Sequence, residues 1–490
     1  MISEVAYKIC LKIMTLWSWW WEVNNEEEKL ARTILTVSVP VLVFLWYKLM
    51  LFYTTKRSTP LPPGPYGLPL VGYLPFLGSN LHEIFTNMAQ KYGPIFSLRL
   101  GSKLCVVVNS LDLVKVVSHD LDQTFANRSS NIAALTISYG RSNIAWSNNN
   151  KHWRNMRKLL VNVVTSMLWG SSKSSEDVSI GDGFREVEFK IMELLGAPNI
   201  SDFIPMLSWF DLQKRKREMQ QQFEYVNEIF DNIIQKRIKT NSSKIDGADE
   251  KDGQKDFLQI MLELKDQMDT PASFNMIHIK ALLMDFVTAA TDTTSTMVEW
   301  VMAEMLNNPD VMKRVQDELT TVVGINNIVE ESHMPKLTYF DAVIKETFRL
   351  HPPLPLLIQR CPGETCKVDG YIVPKDTMVF MNVWAIHRDP NNWPEPLEFK
   401  PERFLNGKWD YSGNNLKFLP FGTGRRICPG MPLGNKMLMY ILASLLHSFE
   451  WKLPKDDEFE LREEFGLVAK KRKPLIAIPS QRLPHATLYM

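Results

Sequence analysis

From Thr33 to Tyr53 the chain reads TILTVSVPVLVFLWYKLMLFY, an almost unbroken apolar run. About 21 residues wound as a helix span roughly 31 Å, the thickness of a bilayer's hydrocarbon core, so the run predicts a transmembrane helix over 33–53. Pro40 is tolerated in such a helix, and Lys48 near one end can reach the headgroups. The run is too long and starts too late for a cleaved signal peptide, and no small-residue cleavage site follows it. Instead come Lys56-Arg57 and then Pro60, Pro62, Pro63, Pro65 and Pro69, which fix backbone angles and delete donors. They predict a stiff hinge over 54–69 between the anchor and a body at 70–490, with 1–32 as a separate leading segment. The tryptophans Trp17, Trp19, Trp20 and Trp21 suit an interface belt ahead of the span, and Met14 is as good an initiator as Met1. Basic residues flank both sides of the span, so charge alone leaves its orientation open.

In the body, apolar residues alternate with period two only briefly. Ile95 to Leu100 and Leu104 to Val108, parted by Gly101-Ser102, predict a hairpin, and Thr377 to Val383 predicts another strand. Spacings of three and four are longer and more frequent. They predict helices over Met276 to Leu306, from Asn308-Pro309-Asp310 to Gly324, over Leu337 to His351 ahead of Pro352-Pro353, and over Leu433 to Phe449. The polar stretch from Thr240 to Lys255 predicts a solvated loop. The fold class is mainly α with a minor antiparallel β region. No internal repeat occurs, and no glycine-rich dinucleotide or phosphate loop and no His-Glu-x-x-His follows the strands.

Composition adds exclusions. Fifty-six Lys and Arg against 55 Asp and Glu leave a net charge of +1, which gives no footprint for nucleic acid. Five scattered cysteines (Cys10, Cys105, Cys361, Cys366, Cys428) argue against a disulfide-stapled chain, and without a Cys-x-x-Cys they make no structural zinc site.

The sequence from Phe421 to Gly430 is FGTGRRICPG, matching Phe-x-x-Gly-x-Arg-x-Cys-x-Gly. On this motif the chain resembles the cytochromes P-450. The resemblance implies the fold of that family and a haem b whose iron is ligated by the thiolate of Cys428. Phe421 would shield the sulfur, Arg426 would pair with a propionate, and Gly424 and Gly430 would supply unusual backbone angles and close approach to the flat macrocycle. The helix after Cys428 would place its positive end behind the thiolate.

Other matches follow in the family's order. Glu346-Thr347-Phe348-Arg349 resembles its Glu-x-x-Arg helix, and Pro401-Glu402-Arg403-Phe404 its PERF box, which implies a structural network of Glu346, Arg349 and Arg403 holding the cysteine loop. Trp153 and Arg157 match Trp-x-x-x-Arg and would meet a propionate, with Arg360 as a further partner. Ala289 to Thr294 resembles the oxygen-activating segment, where hydroxyl back-bonds open the helix. There Thr293 would donate a proton to bound oxygen and Asp292 would relay protons from solvent.

Stretches such as PPGPYGLPLVGYLPFLGSNLH and LASLLHSFEWKLP resemble plant microsomal members that oxidise sesquiterpenes and related terpenoids. That implies a single-pass endoplasmic-reticulum protein with residues 1–32 in the lumen and the catalytic body facing the cytosol. Its electrons would come from NADPH-cytochrome P-450 reductase, and O2 and a small lipophilic substrate would be its co-reactants. A flavonoid or phenolic hydroxylase is the alternative, since the loops from Asn131 to Ile144 and Leu354 to Ile358 have apolar lining that does not name the guest. Two departures stand out. Ala290 replaces the family's glycine, and only 140 positions separate Trp153 from Thr293, several tens fewer than the family has. The gap falls near Leu160-Val161 and raises a second alternative, an impaired or non-catalytic haem-binding isoform.

Overall fold

The computed structural model describes residues 26–55, 60–158, 160, 182–244, 257–266, 274–455 and 459–489. The contacts divide the chain into two units, one drawn from residues 1–60 with 68–70, the other from 61–67 with 71–490. The first contains helix α1, Glu26–Thr55, with Pro40 inside it, and the predicted 33–53 segment falls within this helix. Ile34, Leu35, Val37, Val39, Val41, Leu42, Phe44 and Leu45 are all exposed on it. Among the described residues no helix is long and apolar enough to cross a membrane. The leading tryptophans lie outside the described residues.

In the second unit the predicted hairpin forms: β1 (Ile95–Leu100) pairs antiparallel with β2 (Lys103–Val108) in the register Ile95↔Val108 and Leu100↔Lys103. Pro62 and Pro63 lie along it, their carbonyls accepting from Ser97 Oγ at 2.6 Å and Ser97 N at 2.8 Å. The five-stranded sheet continues with β3 (Asn127–Arg128), β4 (Arg360–Cys361) and β5 (Met378–Met381), in the order β1-β2-β5-β4-β3. The expectation of purely antiparallel pairing fails at one place, because β5 lies parallel to β2. The chain between them holds most of the helices, and such a crossover is what parallel neighbours require.

Helices make the bulk of the body. In chain order they include α2 (Leu81–Tyr92), α3 (Asp182–Gly196), α4 (Arg215–Lys244), α5 (Met276–Asn307), α6 (Pro309–Val323), α7 (Thr338–Leu350) and α8 (Met431–Ser448). Asn275 starts α5 with a capping box, accepting from Ile277 N while His278 Nδ1 accepts from Asn275 N. Pro309 cannot continue α5 and opens α6 in its first turn. The apolar stripes of α5 (Val301, Met305), α6 (Val315, Leu319), α7 (Val343, Ile344) and α8 (Leu442, Leu446) meet in one core. Each of these buried side chains contributes roughly 1.5–3 kcal/mol by leaving water. Of the loop predicted over Thr240 to Lys255, the first residues instead belong to α4, which runs on to Lys244, and the remainder lies outside the described residues.

Candidate functional site

Cys428 sits in a tight loop between the core and the start of α8. Thr423 leads a single 3-10 turn, Gly424–Arg426, and Gly424 takes φ +68, where a side chain would meet Ser118 O at 2.3 Å. Gly430 differs from expectation: its φ is −86, an ordinary conformation, and a Cβ there would lie 3.9 Å from Cys428 Sγ. Its contribution is its N–H. The N–H groups of Gly430 and Met431, at the entry to α8, donate to Cys428. Cys428 N donates to Phe421 O at 3.0 Å, and the Phe421 ring packs 5.3 Å from Phe348 and 5.4 Å from Tyr411.

The Cys428 side chain is open on one side and deeply enclosed on the others. Burial pushes its thiol pKa up, opposed by the Gly430 N–H, the charge of Arg157 and the Met431 N–H. A metal cation held against the exposed sulfur would favour the thiolate over the thiol.

Arginines surround the loop. Arg157 Nη2 donates to Ile427 O at 2.6 Å, and the turn of helix over 151–158 sets its guanidinium 5.7 Å from the Trp153 ring. Arg426 stacks 4.1 Å from the same ring and donates to Ala126 O, Ile144 O and Ser147 O. Arg360 donates to Thr423 O at 2.7 Å and to Asp122 at 3.4 Å. The fourth, Arg128, was missed in the sequence; it donates to Ile358 O, and its place as a buried β3 residue beside Arg360 on β4 carries no motif.

Burial lowers the pKa of all four arginines, Arg360 to about 10 against the pull of Asp122, and Arg426 to about 9 with repulsion from Arg360 and Arg157 added. Arg128 is pressed well down by burial and by Arg426, Arg360 and Arg157. Nε of Arg128 and Nε of Arg360 are buried without a hydrogen-bond partner among the described residues. Asp122 pairs with Arg360 at 3.4 Å and with Arg425 at 3.0 Å, and among the described residues no carboxylate pairs with Arg128 or Arg157; guanidinium groups left so call for an anion, and a soft sulfur ligand beside them calls for a metal ion. That donor set fits haem b, with its iron and two carboxylates.

Glu346, Arg349 and Arg403 come together behind the loop. Arg349 donates to Glu346 through Nε at 2.7 Å and Nη2 at 2.8 Å, and both side chains are fully buried. Arg403 Nε reaches Glu346 at 3.3 Å. The connection onward runs through His387, which no motif marked. Arg349 Nη1 donates to His387 O, and the His387 ring accepts from Leu419 N at 2.9 Å, directly ahead of Phe421. Burial, and then the charges of Arg349 and Arg388, push the His387 pKa down to about 3, so the ring is neutral and can accept.

On α5, Thr293 Oγ1 donates back to Ala289 O at 2.5 Å, yet the helix remains continuous from Met276 to Asn307 and the expected opening is not seen. Ala289, Ala290 and Thr291 are exposed in the middle of a mostly buried helix. Asp292 is buried and ion-paired with Lys470 Nζ at 2.6 Å. A second α5 carboxylate, Asp285, also went unnoticed in the sequence. It accepts from Asn143 Nδ2 at 2.7 Å and Ile144 N at 2.6 Å, and burial raises its pKa to about 7.

The family model described as Cytochrome P450 matches residues 62–179 and 162–478. The two matches overlap at 162–179, where the family's pattern does not run through continuously. Flavonoid 3',5'-hydroxylase of Campanula medium is 35% identical over 86% of this chain and 92% of its own length. Geraniol 8-hydroxylase of Catharanthus roseus is 34% identical over 91% of this chain and 99% of its own length. That alignment runs over 500 positions while using 91% of a 490-residue chain, so several tens of its positions have no counterpart here. A solved zebra fish cytochrome P450 with progesterone superposes with a TM-score of 0.66 at 24% identity, covering 82% of this chain and 98% of that one.

Proposed function

The chain belongs to the cytochrome P450 family of haem-thiolate monooxygenases, and from that premise we propose that this member hydroxylates a small lipophilic substrate of the terpenoid class. The observation that carries the reaction is the convergence of Cys428, its two N–H donors and four arginines at one loop. Cys428 would hold the haem iron, and Arg128, Arg157, Arg360 and Arg426 would face its propionates. Bound there, the haem supplies oxygen activation with electrons passed from NADPH by the family's reductase. The protein's own part is to keep the sulfur ligand in place through Glu346, Arg349, Arg403 and His387, to relay protons from solvent through Asp292 and to donate from Thr293 Oγ1.

The substrate reading rests on apolar side chains. Leu354, Leu357 and Ile358 are half-buried, and Ala289 and Ala290 are exposed; none of these side chains can hydrogen-bond. A phenolic guest with several hydroxyls is favoured by partners that answer them. Flavonoid hydroxylation is the second reading, favoured by relatives of that name at 33–35% identity. Microsomes carrying the chain and a reductase, offered geraniol and a flavonoid separately, decide between them: oxidised geraniol upholds the first reading, and oxidised flavonoid alone upholds the second.

The split family match favours a further reading, a haem-binding chain that does not turn over. A carbon-monoxide difference spectrum of thiolate type with substrate-dependent NADPH consumption overturns it. The reading includes anchoring at the endoplasmic-reticulum membrane with the body in the cytosol: the exposed apolar side chains of α1 support contact with a lipid phase, and the resemblance to plant microsomal members supports the compartment and the orientation. Recovery of the chain from the alkaline-washed membrane pellet tests the anchor, and protection of residues 1–32 from added protease tests the topology.

A further inference from the structure

The single helical turn Val116–Asp120 and the residues after it grip the cysteine loop at three points. Ser118 O lies against Gly424, where any side chain would strike it. His119 Nε2 and Thr423 Oγ1 are hydrogen-bonded at 2.9 Å. Asp122 accepts from the backbone N–H of Arg425 through Oδ1 at 3.2 Å and Oδ2 at 3.3 Å.

The same carboxylate is shared between two guanidinium groups in opposite surroundings. Oδ2 lies 3.0 Å from Arg425 Nε, on a side chain with 48% of its surface in solvent. Oδ1 lies 3.4 Å from Arg360 Nη1, on a side chain that is 2% exposed. Arg360 has little else: Nη2 donates to Thr423 O, and Nε has no hydrogen-bond partner among the described residues. Among those residues Asp122 is also the only carboxylate ion-paired with any of Arg128, Arg157, Arg360 and Arg426. Salt screens a pair at the surface and spares a buried one, so the hold of Asp122 on Arg425 weakens where its hold on Arg360 persists. Whatever charge the carboxylate commits to Arg425 it withholds from Arg360.

We propose that Asp122 sets how much of the positive charge of Arg360 is left to face the haem, and through it the potential of the iron, with Arg425 as the solvent-side competitor for the carboxylate. The inference rests on the reading that Cys428 holds the haem and Arg360 faces its propionates. Asp122 and Arg425 are positioning residues, acting through Arg360. Reduction adds one electron to the iron, and a positive charge held nearby favours that addition. Removing the charge of Asp122 leaves Arg360 wholly to the propionates and makes the site more positive; both effects raise the potential. Removing the charge of Arg425 takes away a cation and gives Asp122 to Arg360 alone; both effects lower it. A carboxylate that merely braced the loop would move the two variants in the same direction, because either would loosen the same contact.

Reductive titration of the full-length, haem-loaded chain, followed by its absorption spectrum, reads the midpoint potential without turnover. Asp122→Asn retains an oxygen acceptor for the Arg425 N–H while losing the charge, and it is expected to shift the midpoint positive of the parent. Arg425→Gln is expected to shift it negative. Raising the ionic strength is expected to shrink the Arg425→Gln shift several-fold and to leave most of the Asp122→Asn shift. Shifts of the same sign, or an unmoved midpoint in Asp122→Asn, overturn the proposal. Arg360→Gln tests the reading beneath it, with a negative midpoint shift and several-fold faster capture of the haem by an added apo-globin expected. If Arg360→Gln moves neither quantity, the reading of Arg360 and the proposal fail together. If it moves both while Asp122→Asn leaves the midpoint in place, the proposal alone fails. An Asp122→Asn chain that does not fold leaves the exposed Arg425→Gln to decide: a negative shift that salt diminishes upholds the sharing, and an unmoved midpoint overturns it.

Discussion

Arg349 uses all five of its N–H donors: two to Glu346 and one each to the carbonyls of His387, Pro396 and Glu398. Fully satisfied charge of this kind is tolerated in a core, whereas a buried cation short of partners is costly. Arg128 is the contrasting case, with Nε unpartnered and three other guanidinium groups lowering its pKa after burial itself. Replacing Arg128 with Met should therefore leave the haem-free chain as stable as the parent or more so, while lowering haem retention several-fold; thermal unfolding of the haem-free chain and the haem-to-protein ratio check the two halves. Asp285 sets a second test. Burial raises its pKa from 3.8 to about 7 against the N–H groups of Ile144, Ala145 and Asn143. Between about pH 4 and 7 the folded chain holds a proton that the unfolded chain has released, so this residue makes stability fall as pH rises across that window. Asp285→Asn should flatten the slope of the unfolding midpoint between those values. The cysteine loop and the Glu346 network could be located because short motifs fix residue type and spacing together. Arg128, Asp285 and His387 could not, because a single Arg, Asp or His acquires its meaning from burial and from neighbours more than a hundred or only tens of positions away.

At the scale of elements, four long helices were legible within a few residues because their apolar stripes are regular and Asn308-Pro309, Gly324 and Pro352-Pro353 punctuate them. The parallel pairing of β2 with β5 was not, since alternation along a strand says which face is buried and nothing about its neighbour's direction. Nor was the contact that fastens α5, α7 and the short strand β6 (Glu463–Glu464) together. At the end of α7, His351 stacks 3.9 Å from Trp300 of α5, with Nε2 at 2.7 Å from Glu304 and Nδ1 at 3.0 Å from Glu463. Burial alone lowers its pKa, but the hydrogen bonds and charges of Glu304 and Glu463 outweigh it and the result lies above the ordinary value. A histidine with a raised folded pKa contributes its full stability below its unfolded pKa of about 6.5 and loses it as pH climbs through the folded value. His351→Asn should consequently cost about 2 kcal/mol near pH 6, the scale of a hydrogen bond to a charged group, and the difference should shrink toward alkaline pH. Unfolding midpoints of parent and variant across that range give the comparison.

For the whole molecule, the two units pose separate physical problems. Helix α1 leaves Ile34, Leu35, Leu42 and Phe44 exposed around its circumference, apolar area that water does not tolerate without a partner or a lipid phase. The body has its own core, built from the α5 to α8 stripes and the sheet, and its compact unit starts at Leu61, where Pro62 and Pro63 are tied to Ser97. A chain beginning at Leu61 should therefore fold, bind haem through Cys428 and remain in the supernatant after ultracentrifugation, whereas on the proposed anchoring the full chain is expected to pellet with membranes. Circular dichroism, haem content and the partition between pellet and supernatant read the three properties independently. Loss of helical content on truncation would mean that the α1 unit is needed to build the body. Preserved helicity without haem would instead place the difficulty in the body itself, at 162–179, where the two family matches overlap next to the helix bearing Trp153 and Arg157. That helix supplies one of the four guanidinium groups and the ring on which Arg426 stacks, so a break in the family's sequence pattern just beyond it should act first on haem retention and only then on turnover.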